Sequence, residues 1–131
     1  MEAKVNPLTR KDIPEKAKWN LDGLYLNKSL WEEDIKKLEK DVAGYESFKG
    51  TLSSSAKNIK SCLEFDISIS RTMEKLYTYA HLRNDEDKTH SQNQSNFEKI
   101  VRLNTLAAQA SSYIPSELMA ISKNQMNQFL K

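Results

Sequence analysis

The chain has little of what most catalytic motifs are built from. Its three glycines stand at isolated positions along 131 residues, so no glycine-rich loop exists to cradle a phosphate. Prolines are equally few, and Leu, Lys, Glu, Ala and Ser are plentiful. That balance excludes a turn-rich sheet protein and favours helices with short connections. Cys62 is alone, which excludes an internal disulfide and fits a reducing, cytoplasmic setting. No apolar run approaches the roughly 20 residues that a membrane-spanning helix needs, and the N-terminus lacks a signal-like apolar segment. Neither sign of charge dominates: 20 basic and 18 acidic residues give a net charge of +2. Lys36, Lys37 and Lys40 alternate with Glu32, Glu33, Glu39 and Asp41, which describes a solvated helix face. The clustered basic face that neutralises nucleic-acid phosphates is missing. A soluble protein that engages neither nucleic acid nor membrane is expected.

Histidine is scarcer still. Only His81 and His90 occur, and His-Glu-x-x-His, which sets two zinc ligands and a general base on one helix face, does not. Zinc-dependent hydrolysis by this chain alone is therefore not expected, and no residue is assigned a catalytic or metal-binding role. His81, Asp85, Asp87 and His90 form the only weak constellation. His81 and Asp85 are one helical turn apart and can hydrogen-bond or share a metal. The plainer reading is that the two acids cap or connect helices. Asp85-Glu86-Asp87 lacks the glycine and spaced oxygen ligands of a calcium loop. No Ser-His-Asp arrangement is compelling.

What the chain does have is helical periodicity. Residues 1–28 form an extended arm, with Pro7 and Pro14 restricting the backbone and Ile13, Trp19, Leu21, Leu24 and Tyr25 as anchors onto the helices behind it. Residues 29–131 read as a helical lobe of about four helices, a single domain or a fragment of one. Ser29 with Glu32 makes a capping-box pattern, followed by a stripe of Trp31, Ile35, Leu38, Val42 and Tyr45. Gly44 weakens that helix by about 1 kcal/mol relative to Ala, and Gly50 suits a left-handed cap at its end.

A second start at Ser53–Ser55 opens a stripe of Ile59, Cys62, Met73, Leu76 and Ala80, flanked by Leu63, Ile67, Ile69 and Tyr77. The β-branched, serine-rich stretch Ile67–Thr72 admits a short strand as the alternative. The stripe resumes in phase at Met73, which favours one long helix. Asp66 interrupts it and must find a polar partner or lie at the edge. Thr89 or Ser91 caps a third helix with Phe97, Ile100, Val101, Leu103, Leu106, Ala107 and Ala108. Pro115 breaks it, and Ser116 with Glu117 starts a short fourth helix containing Leu118, Met119 and Ile121. Met126, Phe129 and Leu130 follow. The fold expected is all-α: an antiparallel long-helix hairpin plus further helices, part of a larger helical lobe. The mean hydropathy of −0.71 is low for a self-contained globule and suits helices with a single apolar stripe.

Several phrases, in order, resemble the N-terminal lobe of oligoendopeptidase F, in the thimet-oligopeptidase-like zinc metallopeptidase superfamily. They are Arg10 with Ile13-Pro14, Trp19-Asn20-Leu21 with Leu24-Tyr25, Trp31-Glu32, and Phe48-Lys49-Gly50 with Leu52. The strongest is Leu76-Tyr77-Thr78-Tyr79-Ala80-His81-Leu82-Arg83 with Asp85-Glu86-Asp87. The resemblance implies a non-catalytic segment that forms part of a substrate-channel wall in a zinc endopeptidase cutting short peptides. Its metal motif would lie downstream, so zinc belongs to the parent enzyme, and the partners are the missing catalytic portion and short peptides. Tyr77, Tyr79, His81 and Arg83 are the candidate channel residues. Tyr77 and Tyr79, two apart on a helix, point to different sides and form no single aromatic platform. Core or interface packing is the plainer reading; in the other, one packs inward while its neighbour presents a hydroxyl at a cleft. The alternative is a freestanding helical interaction module that docks a partner helix through a stripe around Phe97, Ile100 and Phe129.

Overall fold

The computed structural model describes residues 6–131. Among the described residues every regular element is helical, so the chain is all-α. The first five residues of the expected arm lie outside this range. From Asn6 onward the arm carries two 3-10 turns, Arg10–Asp12 and Glu15–Ala17. Backbone N–H groups of Leu24 and Tyr25 both donate to the Leu21 carbonyl. That helical turn aligns Leu21 and Tyr25, which are buried. Trp19 precedes the turn and is not an inward anchor: it is 53% exposed.

Helix α1 spans Lys28–Asp41 and continues as a 3-10 segment, Val42–Ser47. Its cap is Asn27, whose Oδ1 accepts the Leu30 N–H at 3.0 Å, and not Ser29, which lies inside the first turn. Either residue type satisfies a free helix N–H. The expected stripe packs inward, with Trp31, Ile35, Leu38 and Tyr45 buried and Val42 half-buried. Gly50 takes φ +76°, the left-handed conformation that glycine adopts without a Cβ penalty.

Helix α2 runs unbroken for 31 residues, Ala56–Glu86, capped by Ser55, whose Oγ accepts the Asn58 N–H. The strand alternative at Ile67–Thr72 does not occur. Thr72 Oγ1 instead donates to the Ser68 carbonyl one turn back, which accommodates a poor helix former within the helix. Cys62, Ile69, Met73, Leu76 and Ala80 are buried along one side, whereas Ile67 faces out. Asp66 finds a polar partner: the Tyr45 hydroxyl donates to its Oδ1 at 2.6 Å. The Trp31 indole N–H likewise donates to the Leu76 carbonyl at 3.1 Å. These two bonds tie α1 and the 3-10 segment that continues it to α2.

Helix α3, Ser91–Ser111, returns alongside α2 after a four-residue connection. Asn93 meets Arg83 and Phe97 meets Tyr77, while Asn104–Ser111 share a cleft with Asp66–Met73, so the two helices run antiparallel. Neither Thr89 nor Ser91 caps α3. Its N-cap is His90, and Thr89 is held by Asp87. Ile100, Leu103 and Ala107 are buried, but Val101 and Leu106 are exposed, because a single helix face meets α2. The Phe97–Ile100 stripe is therefore not an open docking surface: Ile100 is fully enclosed.

The break after α3 falls at Ser112 and not at Pro115. Pro115 sits in the first turn of α4, Tyr113–Ala120, where the missing N–H has no intrahelical acceptor to lose. Glu117 reaches across to accept N–H groups from Gly50 and Leu52, and Tyr113 donates its hydroxyl to the Tyr45 carbonyl. Helix α5, Lys123–Phe129, is capped by Ser122.

Gly44 is a packing requirement as well as a weak helix former. A Cβ there would lie 2.8 Å from Cζ of Phe65. That ring packs against Tyr45 and Phe48, at centroid distances of 5.0 and 5.5 Å, and any shift to admit a Cβ disturbs both contacts. Overpacking costs about 1–3 kcal/mol, against about 1 kcal/mol gained in helix propensity. Gly44→Ala should lower stability in urea denaturation, and a variant as stable as the parent would refute the close approach. A pH effect follows from the tyrosines. Burial, then hydrogen bonds to Asp34 and Asp66, raise the phenols of Tyr25 and Tyr45 above the usual value. The unfolded chain releases those protons near pH 10 while the native chain keeps them. Stability should be intact below about pH 10 and fall above it. The Tyr25→Phe, Tyr45→Phe double variant should flatten that alkaline slope.

Candidate functional site

A helix turns about 100° per residue, so the phrase at the end of α2 is split between two faces. Tyr79 and Arg83, one turn apart, point toward α1 and the arm. Tyr77 and His81 point toward α3. Tyr79 is only 5% exposed, set edge-on against Tyr25 at 5.2 Å and 6.0 Å from Trp31. Its ring supports the wall of the cleft on the arm side of α2. Tyr77 is partly open, and with His81 and Phe97 it forms a ring cluster with centroids 5.3–5.9 Å apart.

Arg83 lies over Tyr79, its guanidinium carbon 5.3 Å from the ring centroid, in cation–π geometry. Its Nη1 donates to Oε2 of Glu86 at 3.0 Å. Arg10, brought in by the arm, places Nη2 3.0 Å from the other oxygen of the same carboxylate. The Glu86 side chain is 4% exposed and so depends on its cationic neighbours. Arg10 is close enough for Coulombic pairing, yet its N–H is misaligned. Among the described residues Oε1 of Glu86 has no hydrogen-bond donor. At 3.0 Å the Arg10 guanidinium pairs in charge with this buried oxygen, without an aligned hydrogen bond.

These groups line a cleft of about 340 Å³ with Lys28, His90 and Asn93 on its walls and Trp31, Tyr79 and Ala80 beneath. Asn93 Nδ2 donates to the Arg83 carbonyl and closes the turn. Asp87 lines the same cleft: its Oδ1 accepts from Thr89 Oγ1 and N–H, and those bonds, with the nearby charge of Arg10, hold its carboxyl below the usual range. Sequence reasoning reached Tyr79 and Arg83 but missed Arg10 and Glu86 as site residues. Glu86 had a signal, lying three residues from Arg83 and seven from Tyr79 on the same face. Arg10 had none, since a partner 76 positions away leaves no local periodicity.

The weak constellation does not assemble. His81 Nδ1 pairs with Asp85 Oδ2 at 3.0 Å, Asp85 Oδ1 faces Lys88 at 3.3 Å, and His90 lines the cleft from which His81 is absent. Among the described residues no three His, Cys, Asp or Glu side chains gather to hold a metal ion.

No family model matches the chain. Oligopeptidase PepF of Bacillus subtilis is 28% identical over 130 residues, covering 98% of this chain and 19% of its own length. The plasmid-encoded oligoendopeptidase F of Lactococcus lactis subsp. cremoris is 30% identical over 122 residues, 92% of this chain and 20% of its own. The crystal structure of oligoendopeptidase-F from Enterococcus faecium superposes with a TM-score of 0.72 at 27% identity, covering 79% of this chain and 20% of that one. A Chlamydophila abortus crystal structure superposes at 0.82 and 28% identity, covering 93% and 21%. The chain is homologous to the N-terminal lobe of oligoendopeptidase F. It spans about a fifth of the length of the relatives it matches.

Glu86 fastens the arm to the end of α2, so its loss should release the arm without dissolving the bundle. Glu86→Ala is expected to speed tryptic cleavage at Lys11, Lys16 and Lys18 several-fold, since cleavage tracks local opening. Unchanged cleavage would show that Leu21 and Tyr25 hold the arm without help.

Proposed function

We propose that this chain is the N-terminal, non-catalytic segment of an oligoendopeptidase F-like zinc metalloendopeptidase, and that it forms part of the wall of the channel admitting short peptides. The observation that carries the reading is the match of almost the whole chain to about one fifth of each relative. The surface chemistry supports it. The α2–α3 end offers rings and guanidiniums, at Tyr77, His81, Phe97 and Arg83, but no activated nucleophile. Groups of that kind bind and orient without bond cleavage. At the other end of α2 an apolar groove of about 310 Å³ runs between Ile59, Leu63, Ile67, Met126 and Phe129. Exposed apolar surface of that sort is characteristic of a lobe seated on a further body of protein. The partner in this reading is the catalytic portion of the peptidase, which supplies the metal and the general base. Selectivity for short peptides would then come from the width of the channel.

The test is a chimera in which residues 1–131 replace the homologous segment of Bacillus subtilis PepF. The chain by itself, with added zinc, should cleave no peptide, whereas the chimera should hydrolyse short peptides. Tyr77→Ala in the chimera should raise KM several-fold with kcat little changed, the signature of lost uniform binding. An inactive but folded chimera would overturn the reading. So would chelator-sensitive cleavage by the isolated chain that survives repurification.

A further inference from the structure

One peptide bond in the arm is open to chemistry that the others resist. Of the seven aspartates, Asp22 alone is followed by glycine. Asp12, Asp34 and Asp66 precede isoleucine, Asp41 precedes Val42, and Asp85 and Asp87 precede Glu86 and Lys88. Asp22 and Gly23 are both exposed, within the turn that aligns the buried Leu21 and Tyr25. The Leu24 and Tyr25 N–H groups close that turn on the Leu21 carbonyl, so the peptide plane between Asp22 and Gly23 is spanned but not bonded. Among the described residues the Asp22 carbonyl accepts no hydrogen bond and the Gly23 N–H donates none. The Asp22 N–H is held by Asn20, but its carboxylate has no hydrogen bond or ion pair among the described residues. Nor does the fold call for glycine at this point. Gly23 does not take a positive φ, and a Cβ built there meets nothing within 4 Å.

An aspartyl carboxyl carbon can be attacked by the backbone nitrogen of the next residue. At Asp22 the Gly23 nitrogen would bond to Cγ and close a five-membered succinimide. The protonated carboxyl gives up its hydroxyl and the amide its hydrogen, which leave together as water. Water then adds back at either ring carbonyl. Opening on one side restores aspartate. Opening on the other leaves isoaspartate, with the chain routed through Cβ and the former backbone carbonyl freed as a carboxylate. The mass is unchanged and no co-reactant besides water takes part. Ring closure requires the Asp22–Gly23 plane to rotate and the nitrogen to be reachable. A plane with no hydrogen bond of its own rotates at little cost, and glycine presents no side chain against the approach. The branched residues after Asp12, Asp34, Asp41 and Asp66 crowd it. Asp34, Asp66 and Asp85 are also held within α1 and α2.

We propose that Asp22–Gly23 is a site of spontaneous conversion to isoaspartate, and that the conversion unfastens the arm from α2. The added backbone carbon falls inside the turn that sets Leu21 and Tyr25 on one side. Tyr25 is the ring that meets Tyr79 at 5.2 Å and donates its hydroxyl to Asp34. The test is to age the purified chain for weeks in neutral buffer and map its peptides, locating isoaspartate by labelling with an isoaspartyl methyltransferase. Isoaspartate should accumulate at Asp22 several-fold faster than at any other aspartate. Tryptic cleavage of the aged, still folded chain at Lys11, Lys16 and Lys18 should quicken in step with it, since cleavage follows local opening. Gly23→Ala, for which there is space, should fold like the parent and age several-fold more slowly. A synthetic peptide of residues 19–27, aged in parallel, gives the rate without the fold. Conversion in the peptide but none at Asp22 of the chain would show that the turn protects the bond, and would overturn the site. Equal ageing of the parent and Gly23→Ala would overturn it too. Isoaspartate at Asp22 with tryptic cleavage unchanged would refute the unfastening.

Discussion

Burial of one face of α2 governs the rest of the molecule. At a rise of 1.5 Å per residue the helix is roughly 46 Å long, too long to be an accident of local propensity around Ile67–Thr72. Cys62, Ile69, Met73, Leu76 and Ala80 lie along a single seam covered by α1 and α3. Each large apolar side chain enclosed there contributes about 1.5–3 kcal/mol, which outweighs the poor propensity of the serine-rich stretch. Because the helix is continuous, the seam also fixes everything presented at its end. With Leu76 and Ala80 turned inward, Tyr79 and Arg83 must face the arm, and Tyr77 and His81 must face α3. The polar ties of Trp31 to Leu76 and Tyr45 to Asp66 set the register of α1 against that seam. The surface ion pair from Lys99 to Glu39, long and half-exposed, adds little.

This seam explains what could be read in advance. The stripes of α1 and α2 were legible because their spacing repeats with the helix itself, and the return to phase at Met73 decided between helix and strand. Legibility failed where the deciding partner lies elsewhere in the fold. Ser29 and Asn27 are both sound caps, and nothing local chooses between them. Val101 and Leu106 are apolar, but α3 has one neighbour-facing side and they are not on it. Pro115 looks like a break until α4 is seen to begin two residues before it. Gly44 reads as a weakness until Phe65 arrives from 21 positions away. The cleft divides in the same manner: Tyr79 and Arg83 follow from helical spacing, Glu86 could have been added from the same spacing, and Arg10 could not.

The two ends of α2 differ in kind, and that difference bears on role. Beside α5 the surface is an apolar groove, which gains by being covered. Beside the α2–α3 connection it is a cleft of charges, amides and rings, which gains only from a ligand of matching polarity. The continuous helix fixes the position of one end relative to the other.

The arm could have been fastened more cheaply. A buried carboxylate with two arginines is a poor stabiliser, because desolvation consumes much of what the ion pairs return, and apolar packing of the same volume does at least as well. Leu21 and Tyr25 already fasten the arm in that way. The charged cluster also leaves one oxygen without an aligned donor, a further cost. The ion pairs of Glu86 set where the arm lies, and Leu21 and Tyr25 supply most of what holds it there.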